Sequence, residues 1–228
     1  MFRNSLLKIS RSGIQFRTFT SSSLILSQTQ QKAPALLNIT PELLVLKVGL
    51  IKECQKHPEA DKLYVSKIIT APESADQDAT SLTVCSGLVD HVPIDQMINK
   101  KIVLLTNLKP SKMRGIKSEA MILAAEMKKT VMEDGESTTK VEVEVVNAPS
   151  SSQIGDSLIF KPFFNNLQSS NNTPRLKSKN WEVLQSRLFT DDSGTVIYKD
   201  SEDGKCYKLT DEKEDAAFVE RLKGAIVR

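Results

Sequence analysis

Apolar residues in this chain fall into short runs of strand length, separated by polar stretches that contain Gly, Pro, Asn, Asp or Ser. This spacing constrains the fold more than any other feature of the sequence. The run VEVEVV at 141–146 alternates valine with glutamate, as a strand with one buried face does. Up to about residue 160 the sequence therefore predicts an all-β structure.

Five further segments of this region have the composition of strands, and one short helix is predicted between the third and the fourth. The strand segments are 43–54, in which Gly49 predicts a bulge or sharp bend, 62–70, 81–87, 101–108 and 119–127, and the helix follows Pro93. These elements are what a five-stranded OB-fold barrel needs, because closure removes the exposed edges of short strands. A generic β-sandwich is compatible with the same spacing.

The composition between about 165 and 180 shifts to Asn, Ser, Thr, Pro and Lys, which predicts a loop or linker. The elements predicted beyond it are a short helix with Trp181, Leu184 and Leu188 on its buried face, a hairpin at 195–199 and 205–209, and a helical turn at Phe218 and Leu222. The chain is thus expected to divide into an OB-fold domain at 41–160 and a smaller C-terminal extension at 161–228 packed on it.

The first forty-one residues contain no Asp or Glu and many Ser and Thr. Their basic residues before the first strand-like run include Arg3, Lys8, Arg11 and Arg17. Such a composition is typical of an organelle transit peptide, and the run RTFTSSSLIL at 17–26 resembles a two-step mitochondrial processing site. We expect a mitochondrial transit peptide at 1–26, a linker at 27–40 and a location in the mitochondrial matrix; an unstructured basic tail is the alternative. No run of eighteen apolar residues predicts a membrane-spanning helix.

The net charge of +3 gives no evidence for nucleic-acid binding, because removing the four cations of residues 1–26 leaves the remainder of the chain at −1. The distribution of charge is more informative. Residues 99–129 hold eight Lys or Arg against two Glu, whereas residues 190–220 hold ten acidic residues against four Lys. One segment therefore forms a positive patch in an otherwise acidic chain, as a polyanion-binding surface requires.

Most cations of this patch lie in NLKPSKMRGIKS at 107–118, between two strand-like runs. Lysine ammonium groups supply point charges to phosphates, and the planar guanidinium of Arg114 can bridge two phosphate oxygens or stack on a base. Asn107 and Ser118 can donate hydrogen bonds to phosphates or 2′-hydroxyls, and Gly115 permits close backbone approach. The pattern is compatible with a loop that binds an RNA backbone, and also with a solvated hairpin whose lysines protect a sheet edge.

The sequence gives no support for enzymatic chemistry, since it contains neither a nucleophile elbow, a phosphate-binding P-loop nor a zinc-protease motif. Its three cysteines are far apart, so neither a disulfide framework nor a zinc site is indicated. His57, Glu59 and Asp61 could together ligate a metal. A proline-containing turn whose polar side chains cap the backbone explains them more simply. We expect no enzyme activity, cofactor or metal.

Three ordered motifs closely resemble the tRNA-binding domain of endothelial-monocyte-activating polypeptide II, of yeast aminoacylation cofactor proteins and of the C-termini of some methionyl- and tyrosyl-tRNA synthetases. They are HPEADKLYV at 57–65, VCSGLVDHVP at 84–93 and NLKPSKMRGIKSEAMIL at 107–123. The resemblance covers about 40–228. It implies an OB barrel that binds tRNA by shape, near the outer corner of the L, with little preference for sequence. It also implies that the C-terminal extension takes the place of a partner subunit, hence a monomer.

The resemblance further implies which residues bind tRNA and what the protein does. The residues that match the family's loop motif are Asn107, Lys109, Lys112, Arg114, Ser118 and Met121, and Lys101 and Lys117 are added on charge alone. Met121 is interpreted equally well as a core residue. The implied function is non-catalytic tRNA binding that assists an aminoacyl-tRNA synthetase. The alternatives are an interaction scaffold with vestigial RNA binding and a single-strand binder, which the absence of aromatic residues between Tyr64 and Phe160 disfavours.

Overall fold

Antiparallel strands account for about half of the described chain, which comprises residues 39–73, 78–133, 136–163 and 174–228 of a computed structural model. The strands are β1 (Leu46–His57), β2 (Ala60–Ala71), β3 (Thr80–Ser86), β4 (Lys101–Leu105), β5 (Ser111–Met113), β6 (Ile116–Ser118), β7 (Met121–Ile122), β8 (Ala124–Glu133), β9 (Glu136–Val145), β10 (Ser157–Phe160), β11 (Leu188–Thr190), β12 (Val196–Lys199), β13 (Cys206–Thr210) and β14 (Ile226–Val227). The helical elements are two 3₁₀ turns, Pro41–Leu43 and Ile94–Gln96, and helix α1 (Ser178–Gln185). The predicted transit peptide, and the predicted linker apart from its last two residues, lie outside the described residues.

The all-β class predicted from the sequence is confirmed, but the strands pair differently from a closed five-stranded barrel. Twelve strands form one sheet in the order β3-β2-β1-β10-β13-β12-β11-β14-β8-β9, with β4 paired to both β1 and β7. The pairings among the described strands form no closed five-stranded ring. The strands from β10 onward contribute to the difference, because β10 pairs with β1 and β14 pairs with β8. These two pairings cover strand edges of β1 and β8, which in a closed barrel would be covered by other strands of the barrel.

Buried side chains form two clusters, one on each side of the strands that precede residue 160. The first collects side chains from β1–β4, β7–β9 and the loops between them, and it includes Ile51, Tyr64, Ile68, Val84, Met97, Ile102 and Val145. The second joins Leu46, Val103 and Leu123 to C-terminal side chains that include Leu184, Tyr198, Leu209 and Val227. Each fully buried side chain of this size contributes about 1.5–3 kcal/mol relative to exposure. The C-terminal strands therefore share a core with the strands of the first 160 residues.

The bend predicted in the first strand is present where β1 changes its neighbours. A register shift between β1 and β2 lies between Ile51 and Glu53, two residues after Gly49. A Cβ atom at Gly49 would lie 2.6 Å from Leu104 Cδ1 and 2.7 Å from Ile68 Cγ2. These distances are shorter than real Cβ contacts, so a larger residue at position 49 would force the buried side chains of Leu104 and Ile68 to move.

The predicted helices after Pro93 and around Trp181 are confirmed, the first as a single 3₁₀ turn and the second as α1. Leu188 lies beyond the helix, in β11, where it is buried. The predicted hairpin at 195–199 and 205–209 is confirmed as β12 and β13. No helix in the described parts of the chain has both the length and the apolarity needed to cross a membrane.

The helical turn predicted at Phe218 and Leu222 is wrong. Phe218 forms β-bridges with Asn147 and Thr195, and the chain ends in β14. The backbone N–H groups of residues 220–222 donate to a buried side chain, Glu144, instead of to helical carbonyls. Tertiary hydrogen bonds have therefore overridden a helical spacing that rested on two residues.

Candidate nucleic-acid interface

The segment with the concentrated cations forms a hairpin of its own, β5 and β6, which is separate from the main sheet. Its paired residues are Ser111 and Ser118, Lys112 and Lys117, and Met113 and Ile116. Arg114 and Gly115 connect the strands with φ angles of 44° and 90°. Two positive φ angles in a two-residue loop are typical of the type I′ turn, which suits the twist of a hairpin. The sequence was compatible with an RNA-binding loop or a solvated hairpin here, and the structure shows a short hairpin with a defined turn.

Four cations of this hairpin and its approach, Lys109, Lys112, Arg114 and Lys117, are exposed. Lys112 and Lys117 are direct cross-strand partners, a placement in which like charges are destabilising. Of these four cations, Lys117 forms an ion pair with a described residue, Glu119, at 3.0 Å, and the other three form none within the described chain. Closely spaced cations with so little internal compensation are suited to bind a polyanion.

Glu119 attaches the base of the hairpin to β3. Its carboxylate accepts a hydrogen bond from the backbone N–H of Thr83 at 3.1 Å and another from the Lys117 ammonium at 3.0 Å. The backbone hydrogen bond, followed by the one from Lys117, holds the pKa of the Glu119 carboxyl below its ordinary value. The carboxylate therefore stays ionised at neutral pH, and it partly neutralises Lys117, which the sequence added on charge alone.

Asn107 and Ser118 are buried, with 6% and 5% of their surface exposed. Asn107 Oδ1 accepts from the backbone N–H of Val45 at 3.2 Å, and its Nδ2 donates to two backbone carbonyls, of Leu43 at 2.9 Å and Pro174 at 3.1 Å. Ser118 Oγ accepts from the Cys85 N–H at 3.0 Å and donates to the Ala120 carbonyl at 3.1 Å. The sequence predicted both residues as donors to RNA. In the structure their donors are engaged within the protein, where they fix the two ends of the segment that carries the hairpin.

Lys101 and Met121 lie in strands of the main sheet, outside the hairpin. The Lys101 ammonium donates to the carbonyls of Ser150 at 3.2 Å and Ser152 at 2.9 Å, so it is held by a neighbouring turn. Met121 is half-buried, packs against the core and lines a groove of about 340 Å³ together with Met113. Both interpretations of Met121, as a core residue and as part of a surface site, therefore fit its position.

His57 is the residue near the hairpin that the sequence did not connect with it. The predicted backbone cap is confirmed, because the Glu59 N–H donates to His57 Nδ1 at 3.0 Å. The other ring nitrogen, Nε2, lies 3.2 Å from the carbonyl oxygen of Met113 in β5. Among the described residues, no group of three or more His, Cys, Asp or Glu side chains could hold a metal ion.

Replacing Asn107 by Ala tests whether its function is structural. The substitution removes three hydrogen bonds and leaves backbone groups of Leu43 and Val45 without their partner. We expect the free energy of unfolding to fall by about 2–4 kcal/mol, measured by denaturant titration. The matched control is Lys109→Ala, an exposed neighbour, which should change stability by less than about 0.5 kcal/mol. An Asn107→Ala protein as stable as this control would contradict the structural role.

An all-β module that carries closely spaced, exposed cations on a separate hairpin has the features expected of proteins that bind a polyanion through its backbone. Residues 46–157 match the family model described as "Putative tRNA binding domain". The chain belongs to this tRNA-binding domain family through that region. The matched residues run from β1 to the start of β10 and include the whole hairpin.

Comparison with known proteins extends the similarity beyond the family region. The chain is 39% identical over 158 residues to aminoacyl tRNA synthase complex-interacting multifunctional protein 1 of Cricetulus griseus, covering 69% of this chain and 38% of that protein. It is 34% identical over 178 residues to tRNA-aminoacylation cofactor arc1 of Schizosaccharomyces pombe, covering 78% of this chain and 36% of that protein. The C-terminal domain of Plasmodium vivax p43 matches with a TM-score of 0.63 at 22% identity, over 83% of this chain and 99% of that one.

These comparisons confirm the resemblance that the three sequence motifs indicated. The 83% of this chain that shares the p43 fold is more than residues 46–157 can supply, so the fold of the C-terminal strands is shared as well. The chain spans less than two fifths of the length of the two curated relatives.

Proposed function

We propose that this protein is a non-catalytic tRNA-binding protein that assists an aminoacyl-tRNA synthetase. The observation that carries the proposal is the hairpin of β5 and β6, whose cations Lys112 and Arg114 are exposed within the tRNA-binding family region. The names of the two relatives, a synthase complex-interacting protein and a tRNA-aminoacylation cofactor, support association with a synthetase. A tRNA held beside that enzyme would reach it at a higher local concentration.

The hairpin supplies contacts to the RNA backbone more readily than to bases. Lysine side chains meet phosphates as point charges, and the Arg114 fork can bridge two phosphate oxygens. The defined turn sets the spacing of these cations, which favours recognition of a folded RNA by shape. With about four phosphate contacts, a fourfold rise in salt should weaken binding on the order of a hundredfold.

We propose that β1–β4 with β7–β9 form an OB-type barrel that the strands from β10 onward complete. Two hydrogen bonds link β3 to the end of β6 and the residue that follows it: Cys85 N–H to Ser118 Oγ at 3.0 Å, and Glu119 N–H to the Thr83 carbonyl at 2.9 Å. Side chains from β1–β4 and β7–β9 also meet in one interior cluster. The barrel domain would then correspond to 41–160 and the extension to 161–228. Because strands of the extension cover the edges of β10 and β8, we propose a monomer.

We also propose that the protein acts in the mitochondrial matrix. The support is the composition of the first forty-one residues, which lack acidic residues and carry four arginines and lysines within 1–26. Import of the radiolabelled full chain into isolated mitochondria should give a shortened, protease-protected product that depends on membrane potential. A full-length product that stays accessible to protease would refute the location.

Titration of labelled RNA tests tRNA binding itself. We expect the full chain to bind a purified tRNA pool at least about tenfold more tightly than a single-stranded homopolymer or a duplex DNA of equal length, at each of three salt concentrations. Equal affinity for all three polyanions would show a generic cationic surface. Adding the protein to an aminoacylation assay of a candidate synthetase should raise the charging rate at limiting tRNA.

A second candidate function, a protein-interaction scaffold with vestigial RNA binding, is favoured by the charge of the C-terminal region. Residues 190–220 hold ten acidic residues against four Lys, and Glu202, Asp203, Glu212 and Glu214 are exposed. Such a surface repels RNA and fits a basic protein surface. A purified synthetase that binds the chain after RNase treatment, combined with no tRNA shift, would favour this function over the first.

A further inference from the structure

His57 is the last residue of β1, directly before the turn to β2, and it is almost fully buried, with 4% of its surface exposed. A buried imidazole is stable when both of its ring nitrogens have hydrogen-bond partners. His57 meets this condition with one partner in its own turn and one in the hairpin. The Glu59 N–H lies 3.0 Å from Nδ1, and the Met113 carbonyl oxygen lies 3.2 Å from Nε2.

These partners determine which nitrogen carries the proton. A backbone N–H can only donate, so Nδ1 must accept and be unprotonated. A carbonyl oxygen can only accept, so Nε2 must carry the hydrogen. The neutral Nε2–H tautomer is therefore the form of His57 that satisfies both contacts, and in this form one side chain joins the β1–β2 turn to the hairpin.

The hydrogen bond from His57 reaches the hairpin next to the turn that carries Arg114. β5 and β6 pair with each other and with no strand of the main sheet. Ser118 and Glu119 attach the hairpin at its base. At the other end, the Met113 carbonyl belongs to the residue directly before Arg114. Among the described residues, the hydrogen bond between His57 and Met113 is the one that joins residues 111–116 of the hairpin to the rest of the protein.

We propose that His57 is a positioning residue for tRNA binding, which holds the Met113 carbonyl so that Lys112 and Arg114 are fixed before the RNA arrives. The inference rests on the proposed function of the hairpin. A hairpin that is ordered in the free protein loses less conformational freedom on binding, so it binds more tightly than a mobile one with the same charges. His57 would then affect affinity without contacting the RNA.

Two substitutions separate the two hydrogen bonds of the imidazole. In His57→Gln the side-chain amide can place its NH₂ near the position of Nε2 and donate to the Met113 carbonyl. In His57→Asn the shorter amide oxygen lies near the position of Nδ1 and can accept from the Glu59 N–H, but the side chain does not reach Met113. We expect the Asn variant to bind tRNA about three- to tenfold more weakly than the wild type, and the Gln variant within about twofold of it.

The salt slope of binding provides a further readout, which should be the same in all three proteins because no phosphate contact is removed. Equal losses in the Gln and Asn variants, or no loss in either, would overturn the proposal. Thermal unfolding of each variant is measured alongside. If the Gln variant does not fold, imidazole ¹⁵N spectra of the wild type test the hydrogen bond instead. The proposal requires that His57 shows the Nε2–H tautomer, and the opposite tautomer would overturn it.

Failure of the proposed function gives a different result from failure of this inference. A wild-type chain that binds no tRNA refutes the function of the hairpin and says nothing about its order. The Met113 methyl signal reports on that order directly. We expect it to show increased mobility in the Asn variant and wild-type behaviour in the Gln variant. An unchanged Met113 signal in the Asn variant would show that His57 does not position the hairpin.

Discussion

Replacing Lys112 by Gln and Arg114 by Asn in one chain should weaken tRNA binding on the order of ten- to a hundredfold and lower the slope of log K against log salt by about two. Each substitution removes one cation that can contact a phosphate. Asn is chosen at position 114 because φ there is 44°, a conformation that Asn tolerates, and Asn-Gly is a preferred type I′ turn. An Ala at this position would add backbone strain to the loss of charge. Salt titrations of labelled tRNA measure both quantities.

The matched control removes two cations outside the hairpin, in and beside β13, which pairs with β10 and β12 and not with β5 or β6. Lys205 and Lys208 are exposed in and beside β13, and replacing both by Gln changes the net charge by the same amount. Screening limits the reach of such charges to about 10 Å at moderate salt, so we expect less than a twofold change in affinity. Equal losses in the two double variants would mean that binding follows net charge, and the hairpin would lose its assignment. Both variants should unfold within about 0.5 kcal/mol of the wild type.

The sequence predicted the longer strands, because each of them has a local pattern, but it did not predict the short strands β5, β6, β10, β11 and β14. Short runs rich in β-branched residues, bounded by turn residues, predict strands without knowledge of their neighbours. The exposed turn at 109–117 was predictable for the same reason, since Pro110 and Gly115 interrupt two apolar runs. Neither pattern contains information on which strand pairs with which. The pairing of β14 with β8, for example, joins residues about one hundred positions apart.

The placement of the predicted site residues depended on hydrogen bonds that a sequence does not reveal. Asn107 and Ser118 match the family's loop motif, and their residue types suit phosphate contacts. Their side chains instead satisfy backbone groups 62 and 33 positions away in the chain. His57 shows the same effect, since its partner Met113 is 56 positions distant. Exposure of Lys109, Lys112 and Arg114 could be predicted, because unpaired lysine and arginine are rarely buried.

Glu144 shows where a strictly alternating pattern misleads. The run VEVEVV predicted one apolar and one polar face, yet Glu144 is buried, with 6% of its surface exposed. Its carboxylate accepts hydrogen bonds from the backbone N–H groups of Glu220 at 2.7 Å, Arg221 at 3.0 Å and Leu222 at 3.0 Å. A carboxylate in β9 therefore supplies hydrogen-bond partners to the backbone N–H groups of a turn near the end of the chain. The contact connects the family region to the C-terminal strands.

Replacing Glu144 by Ala should lower the free energy of unfolding by about 3–5 kcal/mol, since it removes three charge-assisted hydrogen bonds and leaves buried N–H groups without partners. Denaturant titration measures the change. The matched control is Glu142→Ala, two residues earlier in β9, where the carboxylate pairs with Lys129 and its side chain is 45% exposed. An exposed ion pair of this kind is worth less than about 1 kcal/mol. Equal stabilities of the two variants would contradict the assigned role of Glu144.

The same variant shows whether the C-terminal strands unfold with the rest of the protein. β10 pairs with β1 and β14 pairs with β8, and Leu184, Tyr198 and Leu209 share a core with side chains of β1 and β4. A shared core predicts one cooperative transition, so Glu144→Ala should lower protection from hydrogen exchange in β1 and β4 as much as in β11 and β12. Loss of protection confined to residues 188–227 would instead show an extension that unfolds separately. In that case the cationic hairpin should still bind tRNA after the C-terminal strands have opened.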